Sequence, residues 1–144
     1  MVHALKEAWR VLKPRGFIID LRPLPIDVPL EVVYEGGCEA TGMVDMTLNW
    51  EFDVAPDKAI DQVLGEGIFV QNVLETFDYA FYWRTYHGMV VDLEENWKGD
   101  LEVPEDVFEN ARKIYLDHRP KSRMRLPLKM KLGVYIKNVE GLHV

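Results

Sequence analysis

The start of the chain carries two hydrophobic patterns in succession, one with helical spacing and one continuous. Apolar residues between Leu5 and Leu12 recur at the spacing of one helix face, and Pro14 and Gly16 end that pattern. Residues 17–21 are almost continuously apolar, which predicts a short strand buried on both faces, as in a parallel sheet. The helical stripe consists of Leu5, Ala8, Trp9 and Leu12.

The next part of the chain is predicted to be extended. Prolines at positions 23, 25 and 29 predict a loop after the first strand. Residues 30–34 and 42–52 then form a predicted hairpin around Gly36 and Gly37. In residues 42–52 apolar and polar side chains alternate, which indicates one buried and one solvated face. The apolar side chains of that segment are Met46, Leu48, Trp50 and Phe52.

The remaining pattern alternates between helices and strands. Pro56 and Pro104 stand where prolines commonly open helices, while Gly65 and Pro120 are typical of helix ends. The predicted elements are a helix over 56–64, an aromatic-rich strand over 69–81, a helix over 86–97, a helix over 104–119 and a strand over 130–137. These elements predict an α/β or α+β fold with a mixed, largely antiparallel sheet and about four helices. Because no linker or repeat interrupts residues 1–144, we predict a single domain.

The charge and hydropathy of the chain limit which classes of partner we expect. The net charge of −7 disfavours a phosphate backbone as ligand, and no apolar run is long enough to span a membrane, so neither nucleic acid nor membrane is expected. We expect a cytoplasmic protein, which the single cysteine, Cys38, is consistent with. One basic stretch is either a solvated face, the simpler interpretation, or a site for an anionic ligand. It contains Arg119, Lys121, Arg123, Arg125, Lys129 and Lys131.

One segment resembles a known family. Residues 4–23 read ALKEAWRVLKPRGFIIDLRP. This looks like the L-x-E-x-x-R-V-L-K-P-G-G helix and turn of class I S-adenosylmethionine-dependent methyltransferases, followed by their fifth strand. Arg15 stands where the family usually has its first glycine, which leaves the conformation of the turn open. The matching residues are Leu5, Glu7, Arg10, Val11, Leu12, Lys13, Pro14 and Gly16.

The resemblance implies an arrangement for the rest of the chain. In the family, a last helix and an antiparallel pair of strands follow the fifth strand. Residues 55–66 would be that helix, and residues 69–81 and 130–137 would be those strands. The segments 30–52 and 86–119 would then be insertions, which in such enzymes often shape the acceptor pocket.

The resemblance also implies that the cofactor-binding half of the family's fold is absent. That half contains a glycine-rich turn after its first strand and an acidic residue that holds the ribose hydroxyls. Here Gly65-Glu66-Gly67 follows a predicted helix, so it does not fit that turn. We therefore expect no cofactor-binding residue in this sequence, and S-adenosylmethionine only if a partner supplies the missing half.

Three functions remain open from the sequence. The first is a methyltransferase-like, non-catalytic binding or interaction module. The second is the C-terminal half of a split methyltransferase that needs a partner chain. The third is a small-ligand-binding protein with an aromatic pocket. Without a fourth strand beside it, the strand at 17–21 would be an apolar sheet edge, which natural proteins cover. We expect a homodimer through this edge, although residues 42–52 or a separate N-terminal-half polypeptide could also cover it.

The candidate site residues fall into two groups. The first lies at the end of the first strand, because ligands of open α/β sheets gather at the carboxyl ends of strands. Its simpler interpretation is a hydrogen bond to a nearby loop. The second is aromatic, with one histidine, and its simpler interpretation is core packing. The sequence contains neither the residue spacing of a metal site nor a nucleophile motif, so we predict no metal-binding and no catalytic residue. The candidates are Asp20, Arg22, Tyr82, Trp83, Tyr86 and His87.

Overall fold

A computed structural model of the chain describes residues 1–140. The predicted class is confirmed, because this part of the chain is a mixed α/β structure with four helices and a largely antiparallel sheet of five strands. The helices are α1 (Val2–Val11), α2 (Trp50–Gly65), α3 (Tyr86–Asn96) and α4 (Glu105–Asp117). The strands are β1 (Phe17–Pro23), β2 (Val28–Tyr34), β3 (Gly37–Val44), β4 (Phe69–Trp83) and β5 (Arg123–Lys137).

Strand β5 organises the sheet. The strand order is β1-β5-β2-β3, and β4 also pairs with β5. Strand β1 runs antiparallel to β5, with Phe17 opposite Ile136 and Leu21 opposite Leu132. The prediction that β1 is buried on both faces, as in a parallel sheet, was therefore wrong. Its only neighbour within residues 1–140 is antiparallel, and every second side chain of β1 is exposed.

The chain folds into two compact units, each assembled from segments that are distant in sequence. Unit 1 contains residues 1–24, 50–77 and the chain from Met130 onwards, whereas unit 2 contains residues 25–49 and 78–129. Strands β4 and β5 each carry residues of both units. Whether residues 1–144 behave as the single predicted domain stays a prediction.

The core of unit 1 lies between its two helices and one face of its strands. Ile60 and Val63 of α2 are buried against Phe69 and Tyr135. The predicted stripe of α1 packs on this cluster through Leu5, Trp9 and Leu12. Polar contacts add to this packing, since the Trp9 indole donates to the Asn138 carbonyl and the Lys137 ammonium donates to the Leu12 carbonyl at 2.7 Å.

The core of unit 2 lies under α4. Alternate residues of β2 are buried, and Val107, Ala111 and Tyr115 form the buried stripe of α4. A bulge between β2 and β3 leaves Thr41 as an extra residue, because Leu30 opposes Gly42 while Glu31 opposes Ala40. The buried Thr41 hydroxyl donates to the Leu30 carbonyl at 2.9 Å.

Two element predictions were wrong in the region before α2. Of the three prolines predicted to lie in a loop, Pro23 lies within β1 and Pro29 within β2. Residues 42–52 were predicted as one alternating strand, but β3 ends at Val44 and α2 begins at Trp50. The alternation failed as a signal because Leu48, Trp50 and Phe52, in the short connection and the first helical turn, are exposed rather than on a buried strand face.

Helix α2 also begins before the proline that was predicted to open it. Pro56 lies inside the helix, where it cannot donate a backbone hydrogen bond. In the turn before Pro56, the Asp53 carbonyl accepts a hydrogen bond at 2.8 Å from the Arg22 guanidinium, which lies outside the helix. The same guanidinium is part of the charged cluster described below.

Candidate functional sites

Strand β1 presents an apolar row to solvent. Phe17 is 56% exposed, Ile19 is 60% exposed and Leu21 is 53% exposed. Pairing with β5 places Ile136, Val134 and Leu132 beside them on the same face. Phe69 lies in the core on the opposite face, so the alternation of β4 adds its exposed side chains to the row. We call this set the β1 surface: Phe17, Ile19, Leu21, Val70, Leu74, Leu132, Val134 and Ile136.

The outer edge of β1 is unpaired within the described residues. β1 is terminal in the strand order, and residues 42–52, which we considered as a cover for this edge, do not pair with it. A strand with an unpaired backbone edge and an exposed apolar face is a template for another strand. The β1 surface is therefore a candidate docking site.

The turn before β1 has the conformation that glycine favours. Arg15 has a φ of 63°, in the left-handed region, although it is not glycine. Gly16 is tightly surrounded, because a Cβ there would lie 2.9 Å from the Lys13 carbonyl oxygen. Both positions therefore have backbone surroundings that glycine tolerates better than other residues.

Asp20 and Arg22 lie together, but in a cluster saturated by the protein's own groups. The Arg22 guanidinium donates to both carboxylate oxygens of Asp20 at 2.7 Å and also to Asp57. Lys131 lies directly opposite Arg22 in the pairing of β1 with β5 and donates to the same Asp57 oxygen at 2.8 Å. Asp57 thus bridges two like charges that would otherwise repel each other. We call these four residues the Arg22 cluster.

The cluster shifts the ionisation of its members. Burial alone would raise the pKa of the Asp57 carboxyl, but hydrogen bonds from Lys131 and Arg22 outweigh it and hold that pKa below its ordinary value. The hydrogen bond to Asp20 raises the pKa of Arg22, against the opposing effect of burial. Burial, followed by the Asp20 and Asp57 charges, raises the pKa of the neighbouring Tyr135 hydroxyl. The arrangement has the character of a structural ion network.

Tyr82 and Trp83, at the end of β4, already have partners in unit 2. The guanidinium of Arg123 lies 4.5 Å from the centre of the Tyr82 ring. The Trp83 indole donates to the Asp92 carboxylate at 2.8 Å, and this bond is one of those that lower the pKa of Asp92 after the larger effect of Asn96. Neither of these two candidates lines any of the cavities described below.

Tyr86 and His87, at the start of α3, line a cavity of about 560 Å³ in unit 2. Arg112 and Arg119 of the α4 region also line it, together with Leu116. Burial raises the pKa of the Tyr86 hydroxyl, and the nearby Arg112 charge opposes that shift. Asp20 and Arg22 belong to unit 1 and the other four candidates to unit 2.

Two further cavities continue along α3 and α4, and the sequence did not point to them. One of about 570 Å³ shares Tyr86 and Arg112 with the cavity of His87. The next, of about 430 Å³, shares Glu94, Val103 and Phe108 with it. The available signal was the spacing of Glu105, Phe108, Glu109 and Arg112 on one side of α4.

The basic stretch is occupied by internal partners, which favours the simpler of its two interpretations. Every one of its six cations faces a carboxylate or an aromatic ring of the protein. Arg119 lies over Tyr115, Lys121 pairs with Glu35, Arg123 lies over Tyr82, Arg125 pairs with Glu31, Lys129 pairs with Asp78 and Lys131 pairs with Asp57. An anionic ligand would have to compete with these contacts.

Within residues 1–140, the connections from a strand directly into a helix lack the glycines of the cofactor turn in the resembled family. Two strands lead directly into helices within residues 1–140, β3 into α2 and β4 into α3. Neither connection contains a glycine, so neither lets the backbone approach a ligand as a glycine-rich turn does. In the same part of the chain, no group of three histidine, cysteine or acidic residues is arranged to hold a metal ion. The helices among these residues include none with the length and apolarity to cross a membrane.

Comparison of the chain with protein-family models, with curated proteins and with solved structures gave no match.

Proposed function

We propose that this chain is a methyltransferase-like interaction module that binds another polypeptide through the β1 surface and has no transfer chemistry of its own. The observation that carries the proposal is that β1 has an exposed apolar face and an unpaired edge within the described residues. A strand with apolar side chains on its outer face, and with no pairing partner on one edge, has the properties of a sheet interior. Such a strand gains hydrogen bonds and apolar contacts when a further strand is added.

The order of the strands supports the methyltransferase-like part of the proposal. After β1 the chain forms β2, β3, helix α2, strand β4, helices α3 and α4 and strand β5, and β5 lies beside β1. If β2–β3 and α3–α4 are the insertions that the resemblance implies, the remaining order is α2, β4 and β5. In the resembled family, a last helix and an antiparallel pair of strands follow the fifth strand. The left-handed backbone of Arg15, where the family has glycine, is a second supporting feature.

A second copy of the chain is the simplest occupant of the edge. A two-fold axis beside Ile19 would place Phe17 opposite Leu21 of the partner subunit and Ile19 opposite the partner's Ile19. An axis beside Asp20 would instead bring two carboxylates together, which is unfavourable. We therefore propose the register centred on Ile19, in which the exposed rows of the two copies are continuous.

Light scattering of the wild-type protein and of Ile19→Lys tests this proposal. We expect a wild-type dimer and a folded Ile19→Lys monomer, because the lysine would put two like charges opposite each other at the axis. Glu39→Lys, on an exposed part of β3, is the matched control and should remain a dimer. A dimer that survives Ile19→Lys, or a wild-type monomer whose binding of an apolar dye is unchanged by that substitution, would contradict the use of the β1 surface.

One observation favours a second candidate, the half of a split methyltransferase. A second copy paired at the edge would leave the apolar face of the β1 surface exposed, whereas a polypeptide carrying a fourth strand and a covering layer would bury both. The function would then be to complete the acceptor side of a shared enzyme, with the cofactor held by the partner.

Calorimetric titration with S-adenosylmethionine separates the two candidates. The module alone is expected to give no binding heat. A mixture with a polypeptide carrying the glycine-rich half is expected to bind the cofactor only if the chain is a split-enzyme half, and Ile19→Lys should abolish that gain. Saturable binding of the cofactor by the chain alone would overturn both candidates.

A further inference from the structure

The three cavities of unit 2 join into one groove along α3 and α4. The cavity that contains His87 shares Tyr86 and Arg112 with the middle cavity, and the middle cavity shares Glu94, Val103 and Phe108 with the third. A groove of this kind, lined by one side of each of two helices, has the shape that accommodates an elongated ligand. We call it the α3–α4 groove.

The floor of the groove is apolar. Val90 and Phe108 line the middle cavity and are only partly buried, so their side chains remain accessible. Leu116 extends the apolar lining towards one end, and Leu101 towards the other. Apolar side chains repeated along a helical groove are the anchors on which amphipathic helices dock.

The two ends of the groove carry opposite charge. Glu94, Glu105 and Glu109 line the middle cavity, whereas Arg112, which the middle cavity shares, and Arg119 line the cavity of His87. The third cavity adds Lys98 and Glu102, whose opposite charges leave its net charge set by Glu94. Within residues 1–140, none of the three carboxylates of the middle cavity forms a salt bridge, and neither does Arg112. Arg119 differs from them, because it belongs to the basic stretch and already lies over the Tyr115 ring. The three carboxylates and Arg112 are therefore the groove charges available to a ligand.

We infer that the α3–α4 groove binds an amphipathic helical segment of a partner protein, with basic residues at one end of that segment and acidic residues at the other. The basic end would lie beside Glu94 and Glu109, the apolar stripe on Phe108, and the acidic end beside Arg112. Charge complementarity selects this occupant over a uniformly charged peptide, because either sign alone would meet repulsion at one end. This inference is independent of the β1 surface.

Two fluorescent peptides of identical composition provide the probe. Both contain a leucine stripe, lysines and glutamates in equal number. In the first peptide the lysines and glutamates are separated to opposite ends, and in the second they are interleaved. Since both peptides are neutral, the overall charge of −7 attracts neither. Fluorescence anisotropy is expected to show binding of the end-separated peptide and about tenfold weaker binding of the interleaved one, as the loss of charge complementarity predicts.

Charge reversal in the groove provides the decisive variant. Glu94 and Glu109 are exposed, so Glu94→Lys/Glu109→Lys should fold normally. This double variant is expected to bind the end-separated peptide about tenfold more weakly than the wild-type protein does. The control Glu39→Lys/Glu75→Lys makes the same change in net charge at exposed positions elsewhere and should leave the affinity unchanged. The inference is overturned if neither peptide binds, if the interleaved peptide binds equally well, or if the two double variants behave alike.

Discussion

The two units use strands of one sheet but differ in how the outer face of those strands is composed. In unit 2, the buried side chains of β2 alternate with side chains such as Glu31, which pairs with Arg125. In unit 1, the outer side chains of β1 are apolar and exposed. The inner faces of both units are covered by helices. The outer face of β2 thus includes a charged side chain with an internal partner, whereas the outer face of β1 is apolar throughout and is a template for a binding partner.

The largest expected effect contrasts a core residue of unit 2 with the outer row of unit 1. Leu30→Ala removes a side chain that is 1% exposed, and we expect a loss of about 2–5 kcal/mol in the free energy of unfolding. Ile19→Ala, at low protein concentration, should change it by no more than about 0.5 kcal/mol, since the side chain packs in no core. Urea unfolding measures both. A large loss for Ile19→Ala would show that the row is covered within one chain.

A smaller effect distinguishes the two faces of unit 1 itself. A Cβ on Gly133 would lie 2.5 Å from the Tyr135 hydroxyl oxygen, and Tyr135 is buried. Gly133→Ala is therefore expected to destabilise the protein by about 1–3 kcal/mol through overpacking. Gly65→Ala is the control, because nothing lies within 4 Å of a Cβ there and the position is helical. Equal melting temperatures for the two variants would contradict close packing on the helix-covered face.

The smallest effect comes from the Arg22 cluster. Asp57 is half-exposed, so Asp57→Asn is expected to cost about 1 kcal/mol near neutral pH, through the repulsion left between Arg22 and Lys131. The pKa of Asp57 is lowered by folding, so the unfolded state binds more protons and stability falls as the pH drops below about 4. Urea unfolding at a series of pH values should show a flatter acid decline in Asp57→Asn.

The control for that series is Asp61→Asn, on the exposed side of the same helix. It should retain the acid decline of the wild-type protein. If Asp57→Asn declined as steeply as Asp61→Asn, the cluster would not contribute to the pH dependence of folding.

Local patterns in the sequence predicted the helices well and the environment of β1 poorly. The stripe from Leu5 to Leu12 predicted α1 because helix periodicity is a property of neighbouring residues. The exposure of Ile19 depends on which layers cover the sheet, and no local pattern contains that information. The same holds for α2, whose start at Trp50 was hidden by an alternation resembling that of a strand.

For the candidate sites too, contacts between neighbours in sequence were easier to predict than contacts between distant segments. Asp20 and Arg22 were predicted at the end of the first strand, but β1 continues to Pro23, so Asp20 lies at its centre. Asp20 accepts hydrogen bonds from Arg22 of the same strand, whereas its simpler interpretation named a nearby loop. Their partners Asp57 and Lys131 could not be predicted, because the contact depends on the register of β1 against β5. The α3–α4 groove arises from two helices joined in space, and only the spacing along α4 was visible in the sequence.

The central position of β5 has a consequence for how the protein folds. This strand pairs with β1, β2 and β4, yet it follows all of them along the chain. During synthesis, β1 must therefore wait for its hydrogen-bonding partner until almost all of the other elements have been made, and contacts of such high sequence separation form slowly. The apolar β1 segment is accessible to chaperones and to other nascent chains throughout that interval. The sheet therefore cannot be completed before β5 has been synthesised.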